Sequence, residues 1–303
     1  MSTRSLTAAR AVAREVCARL GIPCPGLELL PSGSNRVFRV QGGRHLIRVA
    51  PPGWSYDEVE TAVRLTGALN ALGAGCHRPV VGDVVVVDTE DGPAFATVWH
   101  WEPAQPRPLD WREVGAGVRR FHEAGDRLAA DLAGRLPTKD LADHIGRRLA
   151  GPVRGILADA TDVALLDGWY ERLSTEFAEL EFVLAPGPVH ADIQENNLVG
   201  TGTGVVLVDT DGIGRGPREI DLMWAAESAR GGRLSAADYL AFVDGYGADI
   251  RDWAGLEVMV RLRELSHTTW VLLRRHIDPA DADLADRMMA WWREGAPFGS
   301  SRQ

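Results

Sequence analysis

Lysine is almost missing from this sequence: Lys139 is the single lysine among 33 basic residues, and all the others are arginines. Cysteine is scarce too, and Cys17, Cys24 and Cys76 form no C-x-x-C pair, which argues against a disulfide framework or a zinc site. No run of 18 apolar residues occurs, and the first 21 residues carry arginines where a signal peptide is apolar. We therefore expect a cytoplasmic protein without a membrane partner.

Charge and composition exclude further classes of protein. Asp and Glu number 42 against the 33 basic residues, so the net charge is −9, which disfavours nucleic acid as a partner. Hydrophobic residues make up 45% and charged residues 25% of the chain, as in ordinary globular proteins. A length of 303 residues suggests two domains or two lobes of one enzyme.

The first hundred residues predict a small sheet. An amphipathic helix is expected over residues 5–20, and three short apolar runs with glycine turns follow it. A helix from Ser55 to Leu72 interrupts them, with Ser55 as its N-cap. The stretch 84–101 has the pattern of a hairpin turning at Glu90-Asp91-Gly92. Residues 26–101 are thus predicted to form five strands with one inserted helix.

The pattern changes after the proline-rich stretch EPAQPRPLD, which predicts a boundary between domains 1–101 and 102–303. The second domain is predicted to be mostly helical, and one segment, 187–212, is predicted as loops and two short strands. Beyond a first helix at WREVGAGVRRFHEAG, helices are expected at about 138–150, 160–182, 218–230, 235–246, 253–276 and 280–294.

The non-helical segment carries the residues with the clearest chemistry. His190, Asp192 and Asn197 form H-x-D-x-x-x-x-N, and Asp209 ends the apolar run VVLVD. Transfer of a phosphoryl group to a hydroxyl needs a carboxylate at the acceptor and oxygen ligands for Mg²⁺. A strand hairpin with ordinary polar loop residues would show similar letters, since Asp and Asn are common in turns. The order of four such residues within strand context favours phosphoryl transfer.

The stretch VHADIQENNLVG…VVLVDTDGIGRGPREIDL resembles the signature of the aminoglycoside phosphotransferase/choline kinase family. The resemblance implies an α+β, bilobal, protein-kinase-like fold, with a small N-terminal lobe around a five-stranded antiparallel sheet and a larger helical C-terminal lobe. It makes Asp192 the catalytic aspartate and makes Asn197 and Asp209 ligands of Mg²⁺. It gives His190 and Asp221 the task of bracing the catalytic loop.

Four positions depart from the family pattern. Ala191 stands where the family usually has glycine, and Gln194 stands where members often have histidine. Glu195 and Asn196 replace a Pro-Gly-like pair. These changes touch the rim of the site, so they bear on the choice of substrate more than on the reaction.

The resemblance also implies a site for ATP or GTP in the first lobe. Gly33, Ser34 and Asn35 match the turn that covers the phosphates, although a polar β-turn would look the same. Trp99 and Trp101 fall at the hinge that holds the nucleotide base. We expect at least one of these two rings to be a packing residue instead.

Arg48 stands on the third strand, where the family has a phosphate-binding lysine or arginine. A glutamate of the following helix should pair with it. Glu58 and Glu60 both fit, and Glu60 has the better spacing to the helix end. The alternative is that all three are solvated surface charges.

The expected partner is a small-molecule acceptor, bound by acidic and aromatic residues of the helical lobe. The candidates are Asp211, Glu227, Glu264, His267 and Trp270. Ion pairs or core packing would explain the same residues. The leading acceptor is an aminoglycoside or related amino-sugar antibiotic. The alternatives are a nucleoside or peptide antibiotic, an amino sugar, choline or homoserine. A nucleotide-binding protein without catalysis is a third possibility, which the intact Asp192, Asn197 and Asp209 set disfavours.

Overall fold

The computed structural model describes residues 5–30, 35–105, 108–157, 159–202, 204–276 and 279–296. The strands of this part are β1 (Leu27–Leu30), β2 (Arg36–Val40), β3 (His45–Val49), β4 (Val85–Thr89), β5 (Gly92–His100), β6 (Gly187–Val189), β7 (Leu198–Thr201), β8 (Gly204–Leu207) and β9 (Gly214–Gly216). The helices are α1 (Leu6–Arg19), α2 (Tyr56–Ala71), α3 (Trp111–Gly125), α4 (Ala130–Ala133), α5 (Asp143–Ala150), α6 (Ala160–Ala178), α7 (Glu219–Arg230), α8 (Ala236–Tyr246), α9 (Leu256–Arg274) and α10 (Pro279–Arg293).

The chain packs into two compact units. The first comprises residues 1–137, 188–214 and 244–246, and the second comprises 138–187, 215–243 and 247–303. This division reflects packing, so the lobe boundary at residues 101/102 stays a prediction. Among the described residues, no helix has the length and apolarity that a membrane crossing requires.

The predicted five-stranded antiparallel sheet is confirmed in the first unit. Its strand order is β1-β2-β3-β5-β4, and every neighbouring pair is antiparallel. Helix α2 follows β3 and begins after Ser55, whose side chain accepts a hydrogen bond from the Glu58 amide. The leading helix α1 is also present, capped by Ser5.

The alternation of side chains along β3 gives the sheet two different faces. Ile47 and Val49 are buried in a cluster with α1, whereas Leu46 is buried in a cluster with residues of α2. Because side chains alternate along a strand, Arg48 lies on the same face as Leu46. Arg48 lines a narrow cleft there with Trp99 of β5. The sheet thus directs one arginine toward α2 and away from the α1 side.

Helices α5, α6, α9 and α10 build the core of the second unit. Their buried residues include Ile145, Leu149, Leu166, Leu173, Leu262, Leu265, Met288 and Trp292. The helix predicted from residue 138 begins only at Asp143. The reason is that the Lys139 amide donates to the Arg215 carbonyl at 2.8 Å, so the backbone at 138–139 is held in a bridge.

Candidate functional site

The loop between β6 and β7 holds Asp192 in place. The Nδ2 amide of Asn197 donates to Asp192 Oδ2 at 2.7 Å and to its carbonyl oxygen at 2.8 Å. Gln194 Nε2 donates to Asp192 Oδ1 at 3.1 Å. Two amide side chains therefore orient the carboxylate, which remains partly exposed to solvent. Such an oriented carboxylate is suited to receive the hydroxyl group of a substrate.

His190, at the start of this loop, is fully buried. Its Nε2 contacts the carbonyl oxygen of Val208 at 3.0 Å, and its ring lies 5.8 Å from the ring of Phe121. The Val208 amide also donates to the Asn197 carbonyl at 3.0 Å. These contacts join the end of this loop to the residue before Asp209, so Asn197 and Asp209 are held near one another.

Two residues of the site have left-handed backbone conformations. The φ angles are 66° at Ala191 and 62° at Asp209. Asp tolerates this region, whereas alanine carries a cost of about 1 to 2 kcal/mol there. Ala191 stands where the family that the sequence resembles usually has glycine. Gly212 approaches closely, because a Cβ at this residue would lie 2.7 Å from the His190 carbonyl oxygen.

Arg48 forms a charged cluster with two aspartates. Its Nη2 lies 2.5 Å from Asp209 Oδ1 and 2.5 Å from Asp211 Oδ2. Burial alone would lower the pKa of Arg48, but Asp211 and Asp209 outweigh it, so the pKa is raised and the guanidinium stays charged. Burial, together with the charge of Asp209, raises the pKa of Asp211 against the opposing effect of Arg48.

The side-chain oxygens of Asn197 and Asp209 are suitable ligands for a magnesium ion. Asn197 uses its amide nitrogen for Asp192, which leaves its amide oxygen as the atom for a cation. The Asp209 side chain is 40% exposed. In the described part of the chain, no three His, Cys, Asp or Glu side chains form a metal cage. Mg²⁺ commonly takes only one or two carboxylates and fills its other positions with water and substrate phosphate.

Arg48 is paired differently from the prediction. Glu60 Oε1 accepts from Arg64 at 3.0 Å and Glu60 Oε2 accepts from Arg135 at 2.6 Å. Glu58 completes the capping box of α2 by accepting from the Ser55 amide at 2.7 Å. Neither glutamate is an ion-pair partner of Arg48 among the described residues. The carboxylates that contact it come instead from the segment after β8.

The other residues predicted to bind the nucleotide are Gly33, Ser34, Asn35, Trp99 and Trp101. Gly33 and Ser34 lie outside the described residues. Asn35 is buried and donates from Nδ2 to Asp211 Oδ2 at 2.8 Å. Trp99 is a packing residue of the α2 cluster, with 3% of its surface exposed. Trp101 is partly buried, and the guanidinium of Arg39 lies 4.7 Å from the centre of its ring.

The other candidate acceptor residues and Asp221 belong to the second unit. Asp221 is fully buried in the first turn of α7. Glu227 forms an ion pair with Arg233. On α9 the rings of His267 and Trp270 stack with their centres 6.0 Å apart. Glu264, the third candidate on this helix, accepts a hydrogen bond at its carbonyl oxygen from the Thr268 hydroxyl.

Sequence reasoning missed two contacts of the site. The sequence prediction includes Gln194 only as a departure at the rim. Its position two residues after Asp192 in a tight loop is a signal that its amide can reach the Asp192 carboxylate. The hydroxyls of Thr66 on α2 and Thr210 contact each other at 2.9 Å in a buried position. No local pattern indicates that bond, because its residues are 144 positions apart.

Comparison with known proteins gives a family and a fold. The family model described as "Phosphotransferase enzyme family" matches residues 26–258. No protein of curated function matches the sequence.

Several solved structures are similar. An amicoumacin kinase in complex with AMP-PNP, Ca²⁺ and Ami superposes with a TM-score of 0.74 at 15% identity, covering 97% of both chains. A microcompartment-associated aminopropanol kinase gives 0.72 at 19% identity, covering 93% of this chain and 94% of that one. The GDP complex of an aminoglycoside 2'-phosphotransferase gives 0.62 at 15% identity, covering 92% and 98%. The predicted α+β, protein-kinase-like fold is thereby confirmed.

Proposed function

Because the chain belongs to the phosphotransferase enzyme family, it is a small-molecule kinase with a hydroxyl acceptor, and we propose that it phosphorylates an aminoglycoside or related amino-sugar antibiotic. In this proposal the γ-phosphoryl group comes from ATP or GTP. The observation that carries it is the Asp192 carboxylate, oriented by Asn197 and Gln194 within the same packed unit as Arg48 and Asp209.

Each of these residues has a separate task in the proposed reaction. Asp192 orients the acceptor hydroxyl and takes its proton as the phosphoryl group moves. Arg48 offsets negative charge on the nucleotide phosphates, which its planar fork can contact through two nitrogens. Asn197 and Asp209 would hold Mg²⁺, which neutralises charge on the phosphates when it is bound. Orientation and charge stabilisation then supply most of the rate.

The nature of the acceptor is supported by the names of similar structures. An aminopropanol and an aminoglycoside both carry amine and hydroxyl groups. The nucleotides in those complexes include AMP-PNP and GDP, which supports a nucleotide donor of either purine type. Acidic residues such as Glu227 and Glu264 remain proposed contacts for the cationic acceptor.

Other hydroxylated molecules are the second candidate class, and the surroundings of two aromatic rings bear on choline among them. A quaternary ammonium ion is usually bound on the open face of an aromatic ring. In the second unit, Arg172 lies 3.9 Å from the centre of Trp169, and Arg274 lies 4.6 Å from that of Trp270. These two rings already carry a cation, so neither of them favours a quaternary ammonium acceptor.

A phosphorylation screen by mass spectrometry tests the proposal. The protein is incubated with Mg²⁺, ATP or GTP, and pools of aminoglycosides, amino sugars, nucleoside antibiotics and small amino alcohols. One pool member should gain the mass of one phosphate. Asp192→Asn keeps the size of the side chain but removes the charge, and we expect its rate to fall roughly 10²- to 10⁴-fold.

The matched control is Asp88→Asn, the same change at an exposed aspartate of the edge strand β4. It should keep the wild-type rate. Phosphorylation at full rate by Asp192→Asn would overturn the role of Asp192. A gain confined to pools other than the aminoglycosides would replace the leading acceptor class by the second.

A further inference from the structure

Arg48 on β3 contacts two carboxylates that differ in their exposure to solvent. Asp209 is the proposed metal ligand, and its side chain is 40% exposed. Asp211 is two residues further along, and its side chain is 19% exposed. Both contact the same nitrogen, Nη2 of Arg48, at 2.5 Å. A carboxylate that must also bind a metal is a poor sole anchor for a guanidinium, since the two cations compete for its oxygens.

Asp211 is itself fixed from two sides. Asn35 Nδ2 donates to the same oxygen that Arg48 contacts, at 2.8 Å. Its own segment is a short 3₁₀ turn, Thr210–Gly212. The buried hydroxyl contact between Thr210 and Thr66 attaches this turn to α2. The carboxylate therefore has a defined position relative to β3 and to α2.

Helix α2 does not supply the counter-charge that a glutamate there would give. Glu60 has both carboxylate oxygens engaged, one by Arg64 and the other by Arg135. It is 17% exposed, so these ion pairs are partly shielded from water. Withdrawing Glu60 toward Arg48 would break two charge-assisted hydrogen bonds.

We propose that Asp211 is the positioning residue for Arg48, in the place where a glutamate of α2 was expected. This inference rests on the proposed function. Asp211 holds the guanidinium on the nucleotide side while Asp209 serves the metal. The function of Asp211 is thus on the donor side of the reaction, and not at the acceptor as the sequence suggested.

Nucleotide binding by the full chain tests the inference. Titration calorimetry would follow AMP-PNP and GMP-PNP, each with Mg²⁺, binding to the wild type, Asp211→Asn, Arg48→Met and the double variant. Asp211→Asn should bind the preferred analogue about tenfold more weakly than the wild type. The double variant should bind no more weakly than Arg48→Met alone, because Asp211 acts through Arg48. Additive losses in the double variant would overturn the inference.

Two more variants separate positioning from general structural damage. Asp211→Glu keeps a carboxylate and should bind the analogue more tightly than Asp211→Asn does. Equal weakness of the two would count against positioning by charge. Asp88→Asn is the matched control and should bind as the wild type does. Circular dichroism and melting temperature would establish that each variant is folded.

The outcomes also distinguish this inference from the proposed function. If the wild type binds neither analogue, the proposed function fails and the inference fails with it. If the wild type binds and Asp211→Asn binds equally well or better, only the inference fails. Glu60→Gln is titrated in the same way, and a larger loss in it than in Asp211→Asn would restore the predicted glutamate to the role.

Discussion

Arg48 shows how burial decides what a single residue can do. A lysine in a buried position readily loses its charge, whereas arginine stays protonated. The contacts with Asp211 and Asp209 further favour the charged form. The use of arginine at this position is therefore compatible with phosphate binding in a chain that has one lysine.

His77 is a second residue whose surroundings control its charge. It is 8% exposed, stacks on Trp99 at 5.1 Å, and its Nε2 lies 2.5 Å from the His100 carbonyl oxygen. Burial, chiefly, lowers the pKa of His77 to about 4, and the positive charge of Arg48 adds to the effect. The folded protein therefore keeps this ring neutral at pH values where a free histidine is protonated.

We predict an acid-sensitive contribution of His77 to stability. Between about pH 6.5 and pH 4 the unfolded chain binds more protons than the folded one, so the free energy of unfolding falls as the pH falls. The full effect is roughly 3 to 4 kcal/mol, because the pKa falls from 6.5 to about 4 and each pH unit corresponds to about 1.4 kcal/mol. Urea unfolding at pH 7 and pH 4.5 measures it.

His77→Gln keeps a donor for the His100 carbonyl and removes the titration. Its stability should depend less on pH than that of the wild type. His144 of the second unit, whose pKa burial also lowers to about 4, supplies a remaining pH dependence in both proteins. An identical pH dependence of the wild type and His77→Gln would contradict the prediction.

At the scale of elements, α2 begins with a complete capping box. Ser55 Oγ accepts from the Glu58 amide at 3.2 Å, and Glu58 accepts from the Ser55 amide at 2.7 Å. Helix α2 also carries Thr66, which contacts the turn of the proposed positioning residue Asp211. The cap thus supports a helix that the site depends on.

Ser55→Ala should lower the free energy of unfolding by about 1 kcal/mol, because one helical amide loses its acceptor. Chemical denaturation measures the change. Ser55→Asp is the matched control, since an aspartate both caps the helix and favours its positive end. A cap of no importance would leave all three proteins equally stable.

At the scale of the whole molecule, the lack of lysine has a consequence for chemical modification. Apart from the N-terminal amine, Lys139 is the only amine that an acylating reagent can reach in this chain. We predict that acetylation leaves binding of the magnesium–nucleotide analogues within about twofold, since arginine does the electrostatic work.

Phenylglyoxal, which reacts with arginine, should abolish that binding, and bound analogue should slow the loss. Calorimetric titration of the modified protein is the readout for both reagents. Loss of nucleotide binding on acetylation alone would show that an amine takes part in the site.

The elements of the sheet and the loop that carries Asp192 and Asn197 were predictable because their signals are local. Alternating apolar residues separated by glycine turns give strands, and Ser55 followed by Glu58 marks a helix start. Asp192 and Asn197 lie five residues apart in one loop, so their hydrogen bond follows from short-range geometry. These features depend on neighbours in the chain, so the order of the residues is enough to predict them.

The partner of Arg48 was decided only by the tertiary structure. Four acidic residues of the sequence could have formed an ion pair with Arg48: Glu58, Glu60, Asp209 and Asp211. Helix α2 turns Glu60 toward Arg135, which is 75 positions away in the chain, and the segment after β8 brings Asp211 to Arg48 from 163 positions away. Spacing along the chain carries no information about such meetings, because long-range packing chooses among several carboxylates that are chemically equivalent.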